Sequence, residues 1–414
     1  MVKLNKTKDF TMRYIKTIPL IASILAFNGC VQKVEEQKKQ VVLIDNIPTA
    51  RTFPIDQTTT DEVTPQIPRV PQLPQEPVRP LPAHTPLFPL YTISSNQLGG
   101  AYSNSYKLRQ FINTMINKHH FSRNFLNGVF SSVNRDIKAL TKYNVIGKRS
   151  KPTAKRTIPG EWDRYRKDFF PSRIGNGVKF WKENKYWLDK AYREYGVAPE
   201  YIIAIIGVET NFGSYTGKHK ILDALTSLSI EYTKRSKFFT TQLENLLLLS
   251  REQKLDPRAI LGSYGGAFGL AQFMPDSFRK YTVDHDNSGQ INLFTKADAI
   301  GSVANFFKEK GGWNPRIPVA MRVNYNGTRF FGAKTGYKTE YSQSQMRSLG
   351  MTPTSNFYGY RGPVMLVKLN RYTRDEMWWG TPNLYAIARY NPREHYIMAV
   401  HQLAQAIRLN YYRR

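Results

Sequence analysis

Glu209 is a single acid at the end of an apolar run, Ile202-Ile203-Ala204-Ile205-Ile206-Gly207-Val208, with Thr210-Asn211-Phe212-Gly213 after it. A carboxyl beside apolar walls is disfavoured in its charged form, so its pKa is expected to rise. Near the C-terminal end of a helix it gains nothing from the helix dipole. Those conditions keep a glutamic acid protonated for general-acid work near neutral pH. The competing reading is a solvated or ion-paired structural acid. A second stretch favours chemistry: Gly262-Ser263-Tyr264-Gly265-Gly266-Ala267-Phe268-Gly269-Leu270-Ala271-Gln272-Phe273-Met274-Pro275. Its glycines let backbones approach closely. Ser263, Tyr264 and Gln272 offer hydrogen-bonding groups, and Phe268, Phe273 and Met274 offer apolar surface, a mixture that suits a sugar. A tight helix crossing would explain the glycines but not the polar residues.

A third stretch has the spacing of a cation site. Asp284-His285-Asp286-Asn287-Ser288-Gly289-Gln290-Ile291 matches positions 1, 3, 5, 6 and 8 of an EF-hand loop, with alternating oxygens and a glycine at the turn. Ser288 replaces the commoner acid at position 5, and Thr295 stands at position 12 in place of glutamate. Asp284, Asp286, Ser288 and the Gln290 carbonyl are the candidate ligands. An empty loop satisfied by its own hydrogen bonds is the alternative.

The elements that must position these groups are mostly helical. Pro199 suits the first turn of the apolar helix and Gly213 its end. That helix is apolar nearly all round, so it is expected to be buried. Phe111, Ile112, Met115 and Ile116 share one helical face, Trp162 and Tyr165 open another helix, and residues 178–195 read as an amphipathic helix ended by Gly196. From about 314 to 370 Gly, Tyr, Thr and Asn increase, and strand-like pieces appear at 319–323 and 363–369.

Gly207-Val208-Glu209-Thr210, Gly262-Ser263-Tyr264, Gln272-Phe273-Met274-Pro275, residues 298–307 and Arg389-Tyr390-Asn391 together resemble the membrane-bound lytic murein transglycosylase B family, in the same order over residues 155–410. The resemblance implies a mainly α fold: a lysozyme-like catalytic domain of the soluble lytic transglycosylase type, an additional helical part and a small β-containing insertion. It implies cleavage of the β-1,4 bond between N-acetylmuramic acid and N-acetylglucosamine without water, giving a 1,6-anhydro product. Glu209 would act first as acid and then as base. The resemblance also assigns Tyr165, Ser263, Gln272, Phe306, Tyr390, Asn391 and Tyr396 to the substrate groove. It sets Lys234 and Arg235, otherwise a solvated basic corner, against the carboxylates of the peptide stem. Asp298 would close an enlarged cation loop. No cofactor is required, and calcium would be structural.

The 414-residue chain carries a net charge of +29, which admits nucleic acid, an anionic membrane or an anionic wall as partner. No zinc-finger spacing, phosphate-binding glycine loop or RNA-recognition signature is present, so no nucleic-acid partner is expected. The one cysteine, Cys30, excludes an intrachain disulfide. It follows a basic flank and a short apolar run, residues 18–27, as in a secretory signal peptide. A sole cysteine there resembles a bacterial lipoprotein signal, with Cys30 lipidated. Val31 follows, with no aspartate to suggest inner-membrane retention, so the periplasmic face of the outer membrane is expected. Prolines at 65, 68, 71, 74, 77 and 80 make the next stretch an extended tether. At ~3.1 Å per residue, about 45 such residues reach on the order of 140 Å, into the wall layer.

The expected organisation is a signal peptide at 1–29, the anchored cysteine and tether at 30–95, and a helical domain at 96–200. The lysozyme-like core with its cation loop follows at 201–313, the β-containing insertion at 314–384, and a C-terminal segment returning to the groove at 385–414. Expected partners are peptidoglycan strands and the outer membrane, with proteins of wall synthesis or division left open. Two other functions stay open as well: a lysozyme-type muramidase using water, and a non-catalytic wall-binding scaffold.

Overall fold

The computed structural model of the chain describes residues 93–147 and 160–413. The signal peptide, Cys30 and the tether up to residue 92 lie outside the described residues, as does the basic stretch 148–159. Helices α1 (Tyr106–His119), α2 (Arg123–Ser131) and α3 (Ile137–Lys142) come first, N-capped by Ser105, Ser122 and Asp136. Then follow α4 (Glu161–Glu183), α5 (Lys185–Tyr195), α6 (Pro199–Thr210), β1 (His219–Lys220), α7 (Ile221–Glu231) and α8 (Ser236–Glu252). After β2 (Leu261–Gly262) come α9 (Pro275–Tyr281) and α10 (Lys296–Glu309). The sheet region holds β3 (Ala320–Tyr325), β4 (Glu340–Tyr341), α11 (Gln343–Ser348), β5 (Met351–Pro353), β6 (Val364–Leu369) and β7 (Glu376–Gly380). Helices α12 (Pro382–Tyr390) and α13 (Glu394–Tyr412) end the chain. The protein is mainly α, and no helix among the described residues is long and apolar enough to cross a membrane.

Helix α6 is the axis of the fold. Every residue from Glu200 to Thr210 is buried, as an all-round apolar helix requires. Helices α4, α5, α10 and α13 pack around it. It does not run to Gly213: Asn211 takes the left-handed conformation (φ 48°) and ends it three residues after Val208, because Asn tolerates that region. Phe212 also has positive φ (59°), and its ring fills the space a Cβ on Gly207 would need, 2.7 Å from Cζ. Residues 178–195 are not one helix. Helix α4 continues through Pro171 to Glu183, and the break comes at Asn184, whose Nδ2 donates back to the Phe180 carbonyl at 2.8 Å.

The antiparallel sheet has the order β4-β6-β7-β3-β5. Alternation assigns its two faces. Val323, Val364, Leu366, Met377 and Trp379 join Met346, Met351 and Phe357 in a small core of their own. Ala320, Val367, Leu369 and Trp378 point the other way, into the main helical core. The sheet is thus fastened to the helices by one face and closed by the other.

Candidate active site

Glu209 sits in the last turn of α6 with only 4% of its surface exposed, so it is not a solvated helix end. Its Oε1 accepts a hydrogen bond from the Tyr396 hydroxyl at 2.7 Å. Tyr396 is buried in the first turn of α13, a helix packed along α6. Burial pushes the Tyr396 phenol well above its ordinary value, and the Glu209 charge adds to this. Tyr390, at the end of α12, donates to the Ala271 carbonyl in the glycine-rich loop. Its phenol is raised by burial and again by Glu209. Tyr165, half-buried in the first turns of α4, is pushed up to about 12 by burial, with Arg173 and Arg393 opposing and Glu209 adding. One carboxyl is thus bonded by Tyr396 and acts electrostatically on tyrosines of two further helices.

The glycine-rich loop folds back on itself beneath them. Ser263 Oγ accepts from the Ala267 N–H at 3.1 Å, and its own N–H donates to the Ala267 carbonyl at 2.7 Å. Gln272 has positive φ (49°), and its Nε2 donates to the carbonyls of Thr216 (3.0 Å) and Gly269 (2.9 Å). Gln272 thus shapes the loop with the amide hydrogens that the sequence offers to a sugar. Gly266 lies against Leu225, and a Cβ there would come within 2.4 Å of Leu225 Cδ2. Phe268 and Phe273 are core residues, and Phe306 is 3% exposed, its ring 4.7 Å from that of Tyr390. Phe306 supports the Tyr390 ring from behind. Asn391 is buried where α12 ends.

Tyr264 is half-buried, edge-on to Tyr143 at 5.7 Å, and Tyr143 lies 5.3 Å from Phe239. Arg235 stacks over Phe238 at 4.2 Å and Phe239 at 5.5 Å. One aromatic cluster therefore connects the Ser263-Tyr264 corner to Arg235, while Lys234 stands exposed beside it. Tyr143 belongs to the early helical part, and nothing in its local sequence marks it. Arg173 is equally silent in the sequence. Its Nε donates to the Gly207 carbonyl at 3.0 Å, its Nη1 donates to the Phe169 carbonyl at 3.1 Å, and its guanidinium lies 4.0 Å from the Phe169 ring centre. A cation at the carbonyl end of α6 satisfies the helix dipole that Glu209 opposes.

Away from this site, Asp284, Asp286 and Asp298 bring carboxylate oxygens within 4.8 Å of one another. Ser288 Oγ donates toward Asp284 Oδ1 (3.3 Å) and the Gln290 carbonyl (3.1 Å), so all five expected donors meet. Asp284 accepts from the N–H groups of Ser288 and Gly289, and Asp298 from those of His285 and Asn292, at 2.7 to 2.9 Å. Asp298 is 1% exposed and pushed up to about 6, by burial first and by Asp286 and Asp284. An all-oxygen donor set carrying uncompensated negative charge fits a hard divalent cation.

The chain is similar to known proteins. The family model for the transglycosylase SLT domain covers residues 103–405. Membrane-bound lytic murein transglycosylase B of Escherichia coli is 42% identical over 318 residues, 76% of this chain and 86% of the relative. The structure of the Escherichia coli lytic transglycosylase Slt35 in complex with calcium superposes with a TM-score of 0.70 at 41% identity, covering 77% of this chain and 97% of that one. Soluble lytic transglycosylase SltB1 from Pseudomonas aeruginosa gives 0.66 at 38% identity, covering 73% and 99%.

Proposed function

Because this chain belongs to the lytic murein transglycosylase B family of SLT-domain enzymes, and is a lytic transglycosylase of peptidoglycan, we propose that Glu209 alone carries both proton transfers. Glu209 protonates the glycosidic oxygen between N-acetylmuramic acid and N-acetylglucosamine, and the C1–O bond breaks. The resulting carboxylate takes the proton of the muramic C6 hydroxyl, whose oxygen closes on C1. The product is a 1,6-anhydro sugar, Glu209 is protonated again, and no water is consumed. The observation that carries this reading is the burial of Glu209 in the last turn of α6 with the Tyr396 hydroxyl on its Oε1. The Glu209 charge also raises the phenols of Tyr165 and Tyr390. A hydrolase of the ordinary kind places a second acid about 5–9.5 Å away. Tyr396 holds the carboxyl in place through the bond to Oε1, and its hydroxyl steadies the negative charge that appears after the first transfer.

Tyr165, Ser263, Gln272, Phe306, Tyr390 and Asn391 form or back the sugar groove, and Lys234 and Arg235 receive stem carboxylates. Asp284, Asp286, Ser288, the Gln290 carbonyl and Asp298 would hold calcium, which the Slt35 structure contains; its contribution is to brace the loop. Lipid on Cys30 would anchor the chain at the periplasmic face of the outer membrane, in line with the membrane-bound name of the Escherichia coli relative. The functional units run 96–200, 201–313, 314–384 and 385–414 behind the signal peptide 1–29 and tether 30–95.

The test is mass spectrometry of fragments released from purified peptidoglycan by the protein and by Glu209→Gln. Anhydro-muramic ends, one water lighter than hydrolysed ends and missing with the variant, are expected. Reducing ends would make the enzyme a muramidase. Equal release by the variant would remove Glu209 from the chemistry.

A further inference from the structure

Helix α4 carries Tyr165, yet its first turn is not held by its own residues. Its N-cap is Gly160, with no side-chain cap. The Trp162 N–H donates instead to the Asn370 carbonyl at 3.0 Å, in the turn between β6 and β7. Asp163, an acid in the first turn, would ordinarily serve the free N–H groups there. Both of its oxygens are turned away to the same hairpin: Oδ1 accepts from Arg371 Nε at 2.5 Å and Oδ2 from the Tyr372 N–H at 2.8 Å. The Tyr372 ring covers the bare Cα of Gly160, where a Cβ would come within 2.2 Å of Cδ1.

Arg371 reaches a second acid as well. Its Nη1 donates to Glu376 Oε2 at 2.6 Å. Glu376, 7% exposed, also accepts from Trp378 Nε1 at 2.8 Å and from Gln402 Nε2 at 3.2 Å. Gln402 is on α13, the helix that presents Tyr396 to Glu209. One guanidinium therefore joins the helix bearing Tyr165 to a strand tied to the helix bearing Tyr396. From Asp163 the contact passes directly into the groove. Trp162 stacks on Tyr165 at 5.5 Å and 15°, and His395 lies 5.9 Å from the same tyrosine.

We propose that Arg371 is a positioning residue: its fork between Asp163 and Glu376 lets the small sheet set where Tyr165 stands in the substrate groove. The proposal rests on the reading of Tyr165 as a groove residue. It gives the sheet a part in substrate fit, although none of its strands carries a residue assigned to the groove. A rigid planar fork is what two acids on different elements need, and lysine cannot supply it.

The experiment is steady-state kinetics of the full-length protein on purified peptidoglycan, with thermal midpoints measured in parallel. Tyr165→Ala is expected to raise KM about tenfold, with kcat little changed, as removal of substrate positioning does. Arg371→Ala is expected to raise KM to a similar extent, and the double variant to be no worse than Tyr165→Ala, because the two act through one contact. Arg371→Lys should recover the thermal midpoint but not KM. Asp163→Asn, which keeps the side-chain shape, should raise KM as well and carries the test if Arg371→Ala does not fold. An unchanged KM in both Arg371→Ala and Asp163→Asn beside an impaired Tyr165→Ala would overturn the proposal alone. Multiplying effects in the double variant would also overturn it, leaving Arg371 a plain stabiliser. A normal KM in Tyr165→Ala would instead overturn the groove reading on which it stands.

Discussion

Glu209 and Asp298 are both buried carboxyls, 4% and 1% exposed, and the chain surrounds them in opposite ways. Asp298 lies in the first turn of α10, where the helix dipole favours an anion. It accepts two backbone N–H groups and has two more aspartates beside it. Glu209 lies in the last turn of α6, where the dipole opposes an anion, with apolar neighbours and a phenol on one oxygen. The first setting gathers negative charge and leaves it for a cation. The second sets a carboxyl against the dipole and holds it through the Tyr396 hydroxyl on Oε1. Burial alone does not separate the two roles; the direction of the nearest helix and the number of N–H donors do.

The largest expected effect tests that contrast at Glu209, the proposed acid. Glu209→Gln should lower kcat by about a thousandfold or more, within the range general-acid groups supply. The thermal midpoint should stay level or rise, since an unfavourably placed acid has been removed. A fall of several degrees would mean that Glu209 is structural. Next, Tyr396→Phe should lower kcat by roughly a hundredfold, the lower end of what loss of one preorganised donor costs. Unchanged turnover would show that apolar walls suffice to manage Glu209.

At the other end of the contrast, calcium at about a hundred times its dissociation constant should stabilise the protein by ~2.7 kcal/mol. That is a rise of several degrees in thermal midpoint, reversed by a chelator. Asp298→Asn should abolish the response while sparing kcat, and a full response in that variant would exclude Asp298 as a ligand.

The smallest effect comes from a buried base on the same helix as Tyr396. Burial pushes His401 down to about 3, with its Nδ1 2.9 Å from the Tyr201 hydroxyl. The unfolded chain therefore binds a proton at this position that the folded chain refuses, between an ordinary value of about 6.5 and the folded value. The stabilisation is complete above that window and is lost as pH falls through it, by ~2 kcal/mol at pH 5. Urea titrations from pH 7 to pH 5 should show this slope, and His401→Gln should flatten it. An equal slope in the variant would assign it to other groups.

The chemistry-bearing stretches were legible because each has a local cause. An apolar run ending in one acid, alternating oxygens closed by a glycine, and a glycine run with interleaved polar residues can all be read without neighbours. Roles that depend on what lies across the fold could not be read so. Gln272 turns its amide to Thr216 and Gly269, and Phe306 backs Tyr390. Both choices are made by elements distant in the chain. Residues 178–195 read as one helix, yet α4, packed against α6 and α13, runs through Pro171 and the break falls at Asn184.

Burial of α6, the place of Glu209 in its last turn and the EF-hand-like spacing of residues 284–290 are readable from local sequence, because periodicity and spacing act over a turn or two of chain. Long-range packing, by contrast, puts the Tyr396 hydroxyl on Glu209, brings Asp298 beside Asp284 and Asp286, and sets Arg173 and Arg371 at helix ends. The bonds from Arg173 to Gly207, from Tyr396 to Glu209 and from Arg371 to Asp163 join residues 34, 187 and 208 positions apart. The hydrophobic burial that brings them together is non-directional and leaves no local mark on the residues it pairs.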